Sequence, residues 1–105
     1  IGDSVLMGGE KPEWTSDKAV RRALIAKYYR VLMLCGDDLN DFFSARISPA
    51  ERETKAKAYD SWWGERWIIL PNPSYGSWED AWLKFDRSMS PEAAQQMKLK
   101  ALRRD

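Results

Sequence analysis

A chain of 105 residues leaves room for one small domain, and with 44% of it hydrophobic, six tryptophans and four tyrosines included, it has material for a core and does not read as a disordered segment. Basic and acidic residues nearly balance, 17 against 16, so no global field draws the chain to nucleic acid or to an anionic membrane. Histidine is absent and cysteine occurs once, which removes the usual general base near neutral pH, the commonest zinc ligand, an internal disulfide framework and a thiolate metal site.

Taken in chain order, "IGDSVLMGGEKPEWT" holds a short apolar piece, Val5, Leu6 and Met7, before a Gly-Gly pair and a Lys-Pro, which predicts a brief strand running into a loop. Ser16 is the expected cap of a first helix, on which Val20, Ala23, Leu24 and Tyr28 recur at helical spacing and mark one face as core, with Lys27 at its margin. Residues 31–35 are apolar on both parities, the pattern of a strand covered on both faces in a parallel sheet, and Cys35 within them reads as a small buried hydrophobe. Serine, proline and glutamate in "SPAE" form a capping-box signature at 48–51, opening a helix expected to run to about Trp63, with Gly64 as its stop. A second apolar run at 67–70 is ended by "PNPSYGS", whose prolines and glycine exclude regular structure. Two more helices follow, one capped by Ser77 and carrying Trp78, Ala81, Trp82 and Phe85, the other capped by Ser90 with Pro91 in its first turn. The alternation of helices and strands predicts an α/β fold with a short parallel sheet in one domain over residues 1–105. Such a sheet is too small to manage both faces and both edges by itself. No apolar stretch approaches the length of a membrane span and the N-terminus lacks a signal-peptide pattern, so the chain as written carries no address and its localisation stays open.

The functional question starts at "VLMLCGDDLNDFF", where a buried-strand pattern releases Asp37, Asp38 and Asp41 immediately after a glycine. Carboxylates this close repel one another unless a cation or strong donors neutralise them. Ligands of open α/β sheets gather beyond the carboxyl ends of strands, which is where this cluster lies. If the chain winds into a helix from Asp38, Asp41 returns one turn later to the side of Asp37, and such a group suits a hard ion, Mg²⁺ or Mn²⁺. The competing reading is that Asp38 or Asn40 caps the helix and Asp41 is solvated. Lys18, with Arg21 beside it in "SDKAVRR", is either a solvated helix residue or the point charge that holds a phosphate.

In order along the chain, "KPEWTSDKAVRR", "VLMLCGDDLNDF" and "WGERWIILPNPSYGSWE" resemble the C-terminal half of the haloacid dehalogenase (HAD) superfamily phosphatases, and in particular the class C acid phosphatases, over roughly residues 4–83. The last motif is the most discriminating, being long with few free positions. The resemblance implies a Rossmann-like three-layer fold, a phosphate ester substrate and a divalent metal. It implies that the lysine at 18 binds the phosphoryl group, that Asp37 ligates Mg²⁺, and that Asp41 supports the metal and its waters; Arg21 is a further candidate for the substrate side. The family often has asparagine where Asp38 stands, so Asp38 adds a potential ligand.

One departure is larger. The family's reaction depends on an N-terminal "DxDxT" motif, whose first aspartate is the nucleophile and whose second is the general acid and base, and these residues contain none; Asp3 in "IGDSV" has no second aspartate two positions on. Two functions are therefore open. One is a hydrolase of phosphate monoesters or diesters in which metal-bound hydroxide replaces the missing aspartate, with Asp37, Asp41 and Lys18 catalytic and Asp37, Asp38 and Asp41 on the metal. The other is a non-catalytic fragment or subunit that needs a separate N-terminal half. Composition alone would suggest a tryptophan-rich binding module, but those tryptophans read mostly as core. An exposed strand edge and apolar helix faces at Val20, Leu24 and Tyr28 would also favour a homodimer or higher homo-oligomer, with residues 1–15 or the helix from Pro91 crossing between chains.

Overall fold

Helix α1 (Ala19–Tyr28) starts where an aspartate, rather than the expected Ser16, can reach its first turn. The Asp17 carboxylate accepts the Ala19 N–H at 2.8 Å and the Ser44 hydroxyl at 2.6 Å, so the same side chain meets the first N–H of the helix and ties it to the segment after the acidic turn. The computed structural model describes residues 4–102, and Asp3 lies outside them. Within that span α1 is followed by β1 (Leu34–Gly36), α2 (Pro49–Ala58), β2 (Trp67–Ile69), α3 (Ser77–Trp82) and α4 (Pro91–Ala101), with 3-10 turns at Leu39–Asp41 and Asp60–Trp62. The strands pair in parallel, Leu34 opposite Trp67 and Gly36 opposite Ile69. This is an α/β arrangement with a short two-stranded parallel sheet, the crossover between its strands carried by α2.

Several predicted elements are shorter, and the reasons are local. The piece at 5–7 is not a strand: Met7 turns its N–H to the Glu10 carboxylate at 3.1 Å, and Gly9 closes a turn onto the Trp14 carbonyl at 2.7 Å. Pairing in β1 begins only at Leu34, because the partner chain just before β2 is still turning through Gly64, whose φ is +82°. Residues 31–33 therefore run unpaired, with Leu32 68% exposed. Cys35 is exposed as well, against the expectation of a buried position, since no described element covers that side of the strand. Helix α2 opens with the anticipated box, the Ser48 N–H reaching the Glu51 carboxylate at 2.9 Å, but passes into the 3-10 turn before Trp63. Helix α3 stops at Trp82 because Lys84 and Phe85 take left-handed conformations, φ 53° and 59°. The Ser90 cap of α4 is as read, its hydroxyl accepting the Ala93 N–H at 3.3 Å.

The core is an aromatic cluster around buried Trp67, against which Phe42, Phe43, Tyr59, Trp62 and Trp63 pack; Tyr59 lies with its ring centroid 4.5 Å away and Trp62 and Trp63 meet it edge-on. Trp67 opens β2 and Phe42 directly follows the acidic turn, so this packing ties the turn to the second strand. The face of α1 expected in the core is largely open: Val20 and Tyr28 are exposed, and the buried residue of the helix is Arg21. No helix among the described residues is long and apolar enough to cross a membrane.

The hydrogen bond from Ser44, followed by that from the Ala19 N–H, holds the Asp17 carboxyl below its ordinary value of 3.8. A lowered carboxyl contributes stability that is fully present above that value and is lost as the pH falls through the lowered one. In a urea series taken down through about pH 4 to about pH 2.5, Asp17→Asn should lose less stability than the wild-type chain; parallel losses would show that Asp17 does not carry this load.

Candidate functional site

Beyond the carboxyl end of β1 the chain reverses through Asp37 and Asp38 into the 3-10 turn, and the side chain of Asp41 at the end of that turn folds back over the strand end. Asp41 Oδ2 accepts the N–H groups of both Asp37 and Asp38 at 3.1 Å, while Oδ1 accepts from the Lys18 ammonium at the start of α1. Its side chain is 10% exposed, against 52% for Lys18, so the lysine keeps one face to solvent. Gly36 is what lets the carboxylate lie there, since a Cβ at that position would run into the Cβ and carboxylate of Asp41.

Asp38 points elsewhere. Its Oδ1 accepts the Asn40 N–H at 2.9 Å and the Ser77 hydroxyl, and its Oδ2 accepts the Ser77 N–H at the start of α3. Burial pushes this carboxyl up, but the bonds from Ser77 and Asn40 and the nearby Arg52 charge outweigh burial and hold it below the usual range. Asp37 is exposed, with Oδ2 accepting from Asn72 Nδ2 at 2.8 Å. Its Oδ1 accepts no side-chain hydrogen bond among the described residues.

The turn thus gathers Lys18, Asp37 and Asp41 and turns Asp38 to a capping role. Arg21 is not part of the gathering: its guanidinium is buried close to Gly8, with Nη1 unpaired. Arg22 is the arginine that reaches the turn, donating to the Asn40 carbonyl at 3.0 Å. Among the described residues no three carboxylate or thiol side chains converge as a metal site would require. The residues that shape the site and were not singled out in advance are Arg22, Arg52 and Asn72. "PNPS" does carry a signal for the last, an asparagine two residues before a serine being able to accept that residue's N–H and close a turn.

Comparison with known proteins gives the same direction. The profile of the HAD superfamily, subfamily IIIB (Acid phosphatase), matches residues 3–78. The class C acid phosphatase from Bacillus anthracis is 28% identical over 84% of this chain, which superposes on 38% of that protein with a TM-score of 0.76. The crystal structure of the class C acid phosphatase from Bacillus anthracis with tungstate bound gives 25% identity over 90% of this chain and 40% of that one, with a TM-score of 0.78. The chain therefore spans about two fifths of the length of these structures. No match was found among curated proteins.

A methyl group placed between β1 and Asp41 forces either a backbone shift or loss of the carboxylate's three bonds. Gly36→Ala should cost about 1–3 kcal/mol of unfolding free energy in urea; an unchanged midpoint would mean that Asp41 does not lie over the strand end.

Proposed function

The chain belongs to subfamily IIIB of the HAD superfamily, the acid phosphatase group, and on that footing we propose that it supplies the phosphoryl-facing and metal-facing side of a site that hydrolyses phosphate esters. The observation that carries this reading is the meeting of Lys18 with the acidic turn at the end of β1, beside an outward-facing Asp37. Lys18 acts as the point charge on the phosphoryl oxygens. Asp41, itself largely buried, keeps that ammonium at the strand end, and Arg22, not Arg21, adds positive charge behind it. Asp37 is the ligand for a hard divalent cation, Mg²⁺ or Mn²⁺.

The donor set bears on the choice between a self-sufficient hydrolase and a chain that needs a separate N-terminal half. Mg²⁺ takes about six oxygen ligands, several of which can be water but one or two of which are carboxylates. In this chain both oxygens of Asp38 and of Asp41 already accept protein hydrogen bonds, and Asp37 Oδ1 is the carboxylate oxygen of the turn without one. These residues form one corner of a cation site, enough to hold a hard ion weakly through Asp37 and water and short of a resident ion's full donor set. The reading favoured is therefore the one in which the nucleophile and the remaining ligands come from residues that this sequence does not contain. Hydrolysis of monoesters or diesters by this chain alone, through a metal-activated water, would draw on Asp38 or Asp41 as further ligands, both of them already engaged by protein donors.

The test uses the chain with tungstate and with Mn²⁺ as separate probes in calorimetry. Tungstate binding should weaken about tenfold or more in Lys18→Ala, as expected for loss of a charge-assisted contact, and Mn²⁺ binding should disappear in Asp37→Asn with the fold retained. Equal affinities in the variants would refute the assignment of roles. Turnover of p-nitrophenyl phosphate by this chain alone with Mg²⁺ or Mn²⁺ would replace the favoured reading by the self-sufficient one.

Assembly forms part of the same proposal. Leu32, Met33 and Tyr28 are all more than half exposed along the unpaired side of β1 and the adjoining helix, a patch that isolated chains bury against one another. We expect a homodimer or higher homo-oligomer of the 12.2 kDa chain. Sedimentation at micromolar concentration should find it, and a compact monomer would contradict it.

A further inference from the structure

Two successive residues at the end of β1 each hold one end of the loop that connects β2 to α3. At the start of the loop, Asn72 donates its Nδ2–H to Asp37 Oδ2 at 2.8 Å. The Asn72 Oδ1 is itself held by the N–H groups of Ser74 and Tyr75, at 3.2 and 3.4 Å, so the amide cannot turn over without losing both. At the far end, Asp38 accepts the Ser77 N–H and hydroxyl, and the Ser77 oxygen accepts from Arg52 Nη1 at 2.7 Å. Arg52 reaches across from α2 with only 7% of its surface exposed, and the same nitrogen donates to the Ala45 carbonyl at 2.6 Å. Between the two ties, Gly76 has φ +142°, and a side chain there would meet the Asp38 carboxylate.

We propose that Asn72 is the positioning residue of this site, locking the Asp37 carboxylate in one orientation, and that the Arg52–Ser77–Asp38 chain anchors the loop from which Asn72 works. The proposal rests on the reading of Asp37 as the cation-facing ligand. A carboxylate on an exposed turn would otherwise sample several rotamers, and each would point the open oxygen in a different direction. A donor on one oxygen, presented by an amide whose own orientation is fixed, leaves the other oxygen with one direction. Arg52 contributes at a distance: its bonds to Ala45 and Ser77 link α2, the segment after the acidic turn and the first residue of α3, so the loop is hung from the packed part of the molecule. Neither Asn72 nor Arg52 need touch substrate for this.

The experiment is nuclear magnetic resonance on the chain without added ligand. Three-bond couplings of Asp37 should report a single χ1 rotamer in the wild-type chain and averaged couplings in Asn72→Ser, which keeps a turn-closing hydroxyl but is too short to reach Asp37. Amide exchange at Ser74 and Tyr75 should change by less than about threefold in that variant, which separates positioning from general loosening of the loop. Ser77→Ala should speed exchange at residue 77 about tenfold, and Ser77→Thr, which retains the hydroxyl, should restore the wild-type rate. A single unchanged Asp37 rotamer in Asn72→Ser would overturn the proposal for Asn72. Equal exchange in Ser77→Ala and wild type would overturn the anchor. Failure of Mn²⁺ or tungstate to bind leaves these couplings and rates unaffected and counts only against the functional reading above.

Discussion

The Asp41 carboxylate receives the amides of Asp37 and Asp38 on one oxygen and the Lys18 ammonium on the other, and this one group turns the end of β1 back on itself. Each bond is charge-assisted, and the carboxylate is nearly out of solvent, where such bonds count for more than at an open surface. Everything else at the site is hung from that turn. It fixes where α1 begins relative to the sheet, it leaves Asp37 outermost, and it directs Asp38 toward the start of α3. The glycine beneath it is a steric requirement of the same arrangement.

The rest of the structure is divided between a well-filled side and an open one. Trp67 on β2 and the rings around it bring together the end of α2, the Asp60–Trp62 turn and the segment after the acidic turn. On the other side, α1 and residues 31–33 present apolar groups to solvent, and β1 has no second partner strand among the described residues.

Much of this could be read from the residues. The apolar runs at 31–35 and 67–70 located the strands, Gly36 with its trailing aspartates located the turn, and the serine caps of α2 and α4 fell where placed. What could not be read depended on partners far along the chain. Asp38 looked like a metal ligand because its neighbours are acidic; its role follows from Ser77 and Asn40, and only the former required the fold. Arg21 and Arg22 are adjacent on one helix, and which of them faces the turn depends on how α1 is rotated about its axis, which the weak apolar stripe of that helix did not determine. Arg52 carried no sequence mark at all, since an arginine amid "AERETKAK" reads as a solvated helix residue until its carbonyl and hydroxyl partners are known. The burial expected of residues 31–33 and Cys35 failed because a strand pattern announces cover on both faces without stating which chain provides it.

The parallel pairing of β1 with β2 has a consequence for the order of events during folding. A parallel pair cannot close through a hairpin, so the sheet must wait until the crossover through α2 is in place. The bonds from Asn72 and Ser77 to the acidic turn span 35 and 39 residues of chain, and they come within reach only once Trp67 has docked beside Phe42. The Asp41 turn and the capped ends of α2 and α4 close over a few residues, whereas the bond from Asn72 to Asp37 closes one of the longer loops. A lesion in the aromatic cluster would therefore be felt first at the strand ends, as a carboxylate that is present and correctly charged but points nowhere in particular.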